Sequence, residues 1–146
     1  MMTILYVMQG PSGSGKSTIA EKIALGNKKA VICSTDNYFV QKDGTYKFDR
    51  KKLPEAHLWN LMAACEYMVR GYDVIIDNTN IRRWECKPYV EYALSINMLV
   101  VFIRVTGAFQ NLHGVPNDIV ERMRNSMEEL TLESVLASSP PNYKEE

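Results

Sequence analysis

Gly10-Pro11-Ser12-Gly13-Ser14-Gly15-Lys16-Ser17 is the segment of the chain best suited to chemistry. Its glycines let the backbone curl until several N–H groups aim at one point, which is how a loop grips an anion. Lys16 adds a mobile cation and Ser17 an oxygen donor. The pattern is GxxxxGK[ST], a phosphate-binding loop. Lys16 is expected to reach the β- and γ-phosphates of a bound nucleoside triphosphate, ATP. Ser17 is expected to hold Mg²⁺. Gly10, Pro11, Ser12, Gly13, Ser14, Gly15 and Thr18 complete the cradle and the first turn of the helix behind it, whose positive end also favours phosphate.

Two aspartates come next. Asp36, in Ser34-Thr35-Asp36-Asn37-Tyr38, follows a short apolar run. A carboxylate there can accept the proton of an attacking hydroxyl in phosphoryl transfer, or it can close an Asx turn. Asp77, in Asp77-Asn78-Thr79-Asn80, follows Val74-Ile75-Ile76. It is expected on the Mg²⁺ side of the site, with helix capping as the alternative and Asn80 as another candidate cap. Arg82 and Arg83 follow as phosphate contacts or as solvated charges.

Positioning these residues requires an open sheet. Thr3 to Met8, Ala30 to Cys33, Asp73 to Ile76 and Met98 to Val105 are short apolar runs that read as strands buried on both faces. Helical spacing begins at Lys16. It resumes at Pro54, where Leu58, Leu61, Met62, Cys65, Met68 and Val69 form an expected buried stripe. A helix is expected over about Arg82 to Ser95, interrupted by Pro88. The last helix is expected from Pro116, with Ile119, Met123, Met127 and Leu130 on one face. Ser34 to Lys52 reads as a long loop carrying five basic residues and four aromatics, and Ala137 to Glu146 as a loose tail. Strands alternating with helices imply an α/β fold, a P-loop three-layer sandwich with a mostly parallel central sheet. Ligands then bind beyond the carboxyl ends of the strands, where the loop and both aspartates lie.

The chain has 146 residues, which at roughly 100–200 residues per domain is one domain, with a core over about residues 3–130. Lys plus Arg and Asp plus Glu are 17 each, so the surface as a whole is no electrostatic sleeve for nucleic acid, although a local basic groove is allowed. Cys33, Cys65 and Cys86 have no metal-ligand spacing and read as reduced thiols in a cytoplasmic protein. No signal peptide, membrane span or repeat is recognisable, and no NKxD-type tetrad points to a guanine-reading switch.

The ordered set GPSGSGKST, STDNYF, EAHLWN, VIIDNTN, WECKPYVE and HGVP resembles the P-loop kinase domain of bacteriophage polynucleotide kinases. It looks closer still to the kinase-like domain of animal ubiquitin-ligase-binding proteins. The resemblance runs from about Thr3 to Leu130, and DNTN with KPYVE makes it specific. It implies ATP-dependent phosphorylation of a polynucleotide 5′-hydroxyl. Asp36 then corresponds to the general base, and Asp77 to the aspartate that contacts the acceptor end and the loop lysine. His57 and Asn60 match a pair on one helix face, with His57 read as structural. Two positions depart from the bacteriophage pattern. Phe39 replaces an arginine three residues after the base, and Gln110 replaces a lid arginine in Gln110-Asn111-Leu112-His113-Gly114. Arg122, Arg124, Arg82 or Arg83 are the candidate substitutes. The expected activity is therefore transfer of the γ-phosphate to a hydroxyl, with a nucleic-acid 5′ end as the partner. A small-molecule kinase and a weakly catalytic ATP-binding interaction module are the alternatives.

Overall fold

The computed structural model describes residues 2–27, 29–107 and 115–141. Four strands, β1 (Ile4–Gln9), β2 (Ala30–Cys33), β3 (Asp73–Ile76) and β4 (Leu99–Arg104), form one parallel sheet in the order β2-β3-β1-β4. Such crossovers need covering elements on both faces. Alternate residues of the strands supply two cores. Leu5, Val7, Val74 and Ile76 pack beneath α2 (Leu53–Val69), α3 (Arg83–Ser95) and α5 (Leu132–Leu136). Tyr6, Met8, Ile75 and Ile103 pack against α1 (Lys16–Leu25). Helices, sheet and helix make the three expected layers.

The strands and the starts of α1 and α3 lie within a residue or two of their expected places. The face of α2 does not. Its buried residues are Ala56, Asn60, Ala64 and Met68, whereas Leu58, Met62 and Val69 are 57%, 64% and 63% exposed. Small alanines let the helix approach the sheet closely. Asn60 can be buried because its amide donates to Tyr89 Oη at 3.0 Å. Apolar spacing alone therefore located the stripe only in part: Met68 is buried and Leu61 packs on the core, but Leu58, Met62 and Val69 face outward.

Other elements also differ from expectation. Residues 34–52 hold two short 3₁₀ turns, Thr35–Phe39 and Arg50–Lys52, joined by a hairpin closed at Val40 and Tyr46. Pro88 sits within an unbroken α3. The last helix is shorter than expected: α4 (Asn117–Ser126) ends before Met127, which is extended, and Val120 is its buried residue. Thr131 then caps α5, accepting from Ser134 N–H at 3.1 Å. Val135 of α5 is fully buried, so the chain is still packing where a loose tail was expected to follow. Among the described residues no helix is long and apolar enough to cross a membrane.

Candidate active site

The turn after β1 leaves no room for a side chain at Gly10, where a Cβ would lie 2.5 Å from the Val105 carbonyl oxygen and 2.7 Å from Ser14 Oγ. Gly13 (φ +79°) and Gly15 (φ +94°) occupy the left-handed region that glycine reaches without strain. The turn is tied by Ser14 N–H donating to the Pro11 carbonyl at 3.2 Å. Gly10 N–H donates to the Thr79 carbonyl at 3.0 Å, fixing the turn to the loop after β3. Ser14 is 1% exposed, and its buried hydroxyl has no protein partner among the described residues. A buried polar group in that state is costly. A phosphate oxygen is the kind of partner that would satisfy it, so this cradle suits a triphosphate.

Lys16 and Ser17 open α1 and both meet Asp77. Lys16 Nζ lies 3.3 Å from Asp77 Oδ1, and Ser17 Oγ–H donates to Asp77 Oδ2 at 2.8 Å. Asp77 is 8% exposed, held at the end of β3 by its own N–H donating to the Cys33 carbonyl at 3.0 Å. It caps no helix. Ser17 Oγ and the Asp77 carboxylate make a small oxygen set. That suits Mg²⁺, which takes one or two protein oxygens and fills its shell with water and substrate phosphates. No group of three or more His, Cys, Asp or Glu residues suited to a metal ion stands among the described residues.

Asp36 lies in the 3₁₀ turn after β2, the strand beside β3. Thr35 N–H donates to Asn78 Oδ1 at 2.9 Å, so the residues next to the two aspartates are bonded to one another. The 3₁₀ turn thereby brings Asp36 to the same rim as the cradle. Asp36 accepts a hydrogen bond from Tyr46 Oη–H at 3.2 Å.

Beneath the rim is a polar network joining His57 and Asn60 to the DNTN and KPYVE segments. Tyr89 Oη accepts from Asn60 and also engages Asn78 and Thr35. Thr35 Oγ1 lies 3.3 Å from His57 Nδ1. Burial pushes the Tyr89 phenol above its ordinary 10.0, so it stays protonated. The EAHLWN, DNTN and KPYVE segments thus meet in space, and the sequence singled out Tyr89 only as part of KPYVE, with no role attached to it. Asn80 is no helix cap. It is left-handed (φ +46°), 2% exposed, and its amide donates to the Met8 carbonyl at 2.7 Å.

Around Asp36 the aromatics divide. Phe39 is 2% exposed and has Tyr38, Tyr46 and Phe48 around it, with ring centroids 5.1–6.3 Å away. Tyr46, Phe48 and Trp59 are 40–50% exposed, and Trp59 meets Tyr38 edge-on at 5.5 Å. Lys42, Lys47, Arg50, Lys51 and Lys52 are all exposed beside them.

The candidate substitute arginines are engaged elsewhere. Arg82 pairs with Glu128 at 3.6 Å, and Arg83 Nε donates to the Glu129 carbonyl at 2.7 Å. Arg122 pairs with Asp118 at 3.4 Å on the surface. Arg124 Nη1 donates to the Thr106 carbonyl at 2.9 Å, one residue beyond the Val105 that crowds Gly10. Gln110 to Gly114, the expected lid segment, lies outside the described residues.

A family model described as an AAA domain matches residues 5–108. Human NEDD4-binding protein 2 is 36% identical over 146 residues, covering 93% of this chain but only 8% of that relative's length. A chain of the Pnkp1/Rnl/Hen1 RNA repair complex superposes with a TM-score of 0.65 at 16% identity, covering 86% of this chain and 44% of that one. The Mycobacterium tuberculosis APS kinase CysC superposes with a TM-score of 0.56 at 17% identity, covering 94% and 99%. The structural likenesses establish the fold. The sequence match, running from β1 through the phosphate loop and both aspartates to the residues after β4, places the chain in the AAA_33 family of P-loop kinase-like AAA domains.

Proposed function

We propose that the chain is an ATP- and Mg²⁺-dependent kinase that transfers the γ-phosphoryl group to the 5′-hydroxyl end of a polynucleotide. The observation that carries the proposal is the meeting of Lys16, Ser17 and Asp77 behind the phosphate-loop cradle. Asp36, in the turn after the neighbouring strand, is the carboxylate assigned to proton acceptance. In this scheme the loop amides, the Ser14 hydroxyl and Lys16 hold the triphosphate. Ser17 and Asp77 would hold Mg²⁺, which when bound would offset phosphate charge. Asp36 removes the proton of the incoming hydroxyl as its oxygen bonds to the γ-phosphorus, and ADP leaves with the electrons of the broken P–O bond.

Exposed aromatic rings interleaved with exposed lysines beside Asp36 support a nucleic-acid end as acceptor, because bases stack on rings and phosphates seek cations. The balanced net charge favours a small hydroxylated metabolite as the second reading. The test uses γ-labelled ATP, Mg²⁺ and a short 5′-hydroxyl oligonucleotide, with Asp36→Asn alongside. Label on the oligonucleotide, reduced at least 100-fold in the variant while ATP still binds, is expected for positioned general-base catalysis, worth about 10²–10⁴ in rate. Oligonucleotide affinity should also fall steeply between 50 and 200 mM salt, a range in which phosphate contacts lose about 10³-fold or more. Efficient transfer by Asp36→Asn would remove that residue from the chemistry. Label on nucleosides or sugars but not on oligonucleotides would establish the second reading.

A further inference from the structure

Phe39 holds the sequence position of a missing cation, and its surroundings show what the space is used for. The chain leaves Asp36, buries Phe39, turns back and returns to Asp36 ten residues later. The return is built by hydrogen bonds. Lys47 N–H donates to the Phe39 carbonyl at 2.9 Å, Gln41 N–H to the Thr45 carbonyl at 2.7 Å, and Gly44 N–H to the Gln41 carbonyl at 2.9 Å. Asp43 Oδ1 accepts from both the amide and the hydroxyl of Thr45, and Gly44 takes the left-handed conformation (φ +90°) that the tight turn requires. The rings of Tyr46 and Phe48 then pack on Phe39. This is an ordered arm of about ten residues rather than a slack loop, and it ends with a phenol 3.2 Å from a carboxylate oxygen at the rim.

We infer that Tyr46 is a positioning residue for Asp36: its hydroxyl donates to Oδ1 and restricts rotation of the carboxylate at the rim. The inference rests on the general-base reading of Asp36. It adds a residue and an element that act only through it. Three observations support it. The contact joins a neutral donor to a carboxylate acceptor, a stronger class of hydrogen bond than a neutral pair. The donor remains protonated, since burial and then the neighbouring Asp36 push the Tyr46 phenol up to about 12. The ring has its own anchor in Phe39, so its orientation does not depend on the carboxylate.

Carboxylate orientation matters because proton removal needs the accepting oxygen within hydrogen-bond reach of the acceptor hydroxyl. A carboxylate that lacks this hydrogen bond is less restrained and adopts the productive orientation for less of the time, which lowers turnover without touching ATP binding. Tyr46→Phe deletes the hydroxyl and keeps the ring on Phe39. The expected result is a fall in kcat of about tenfold, the scale of one charge-assisted hydrogen bond. KM for ATP and the melting temperature should stay unchanged. In the Asp36→Asn background the same substitution should cost nothing further, since residues acting through one another are non-additive.

Four single and double variants assayed with ATP and a 5′-hydroxyl oligonucleotide decide the matter. If wild type is active, Asp36→Asn is not, and Tyr46→Phe matches wild type, the positioning role is overturned while the base stands. If Tyr46→Phe slows Asp36→Asn by a further tenfold, Tyr46 acts independently and the role is again overturned. If Asp36→Asn transfers as fast as wild type, or wild type labels no oligonucleotide, the reading beneath it fails and the inference falls with it.

Discussion

Asn60 is a polar side chain at 1% exposure, held in the helix-covered core by one hydroxyl, that of Tyr89. Burying an amide is tolerable only while its partner is present. Tyr89→Phe removes that partner and also frees the contacts to Thr35 and Asn78, the residues adjoining the two aspartates. Urea unfolding should report a loss of about 1–3 kcal/mol, the cost of one unsatisfied buried group. Turnover should fall as well, because the loops bearing Asp36 and Asp77 lose the tie beneath them. A variant with unchanged stability would mean that water or another side chain satisfies Asn60. At this scale the sequence was informative wherever spacing itself encodes chemistry. The glycine-lysine-serine order specified the cradle, and aspartates just after apolar runs specified the rim. Tyr46 carried no such mark, and Tyr89 was marked only as a member of KPYVE, since a tyrosine's hydroxyl acquires a role only from what tertiary packing sets against it.

Among the elements, α5 is packed into the core despite its short length. It is five residues long, yet it seats the fully buried Val135 against the core shared with α3. An isolated helix of that length has no stability of its own. It persists because Thr131 caps it and because the core needs Val135. Val135→Ala should lower unfolding free energy by about 1–3 kcal/mol, the range for deleting buried methyl groups, while leaving KM for ATP unchanged, as measured by urea titration beside a kinase assay. The strands were legible because fully buried parallel strands are continuous apolar runs. The face of α2 was legible only in part, because besides Met68 and Leu61 its inner surface is made of alanines and a satisfied asparagine, while Leu58 and Met62 face outward. The last helix was misjudged for a related reason: its apolar spacing continued past Ser126, but the backbone is extended at Met127.

For the molecule as a whole, buried thiols, together with the Tyr46 and Tyr89 phenols, shape the response to high pH. Burial raises the Cys33 thiol from an ordinary 9.0 to about 11 and the Cys86 thiol to about 12. Below pH 9 these thiols are protonated in both the folded and the unfolded chain and contribute no pH dependence. Above it the unfolded chain releases protons that the folded chain retains, so stability falls with rising pH until about 11 to 12. Urea midpoints measured at pH 8 and pH 10.5 should show the decline, and replacing Cys86 with Ala should flatten it. At pH 8 a thiol reagent should modify Cys65 well before Cys33 or Cys86, which react only as the chain opens.

The arm from Phe39 to Phe48 has one more implication. Its two ends are joined to each other at Val40 and Tyr46, and its tip at Lys42-Asp43-Gly44 is exposed. In the proposed scheme the sheet carries the triphosphate cradle, while a segment closed on itself lies beside Asp36. Evolution or an engineer could exchange that segment as a cassette, giving one nucleotide-handling chassis a repertoire of acceptors without rebuilding any strand.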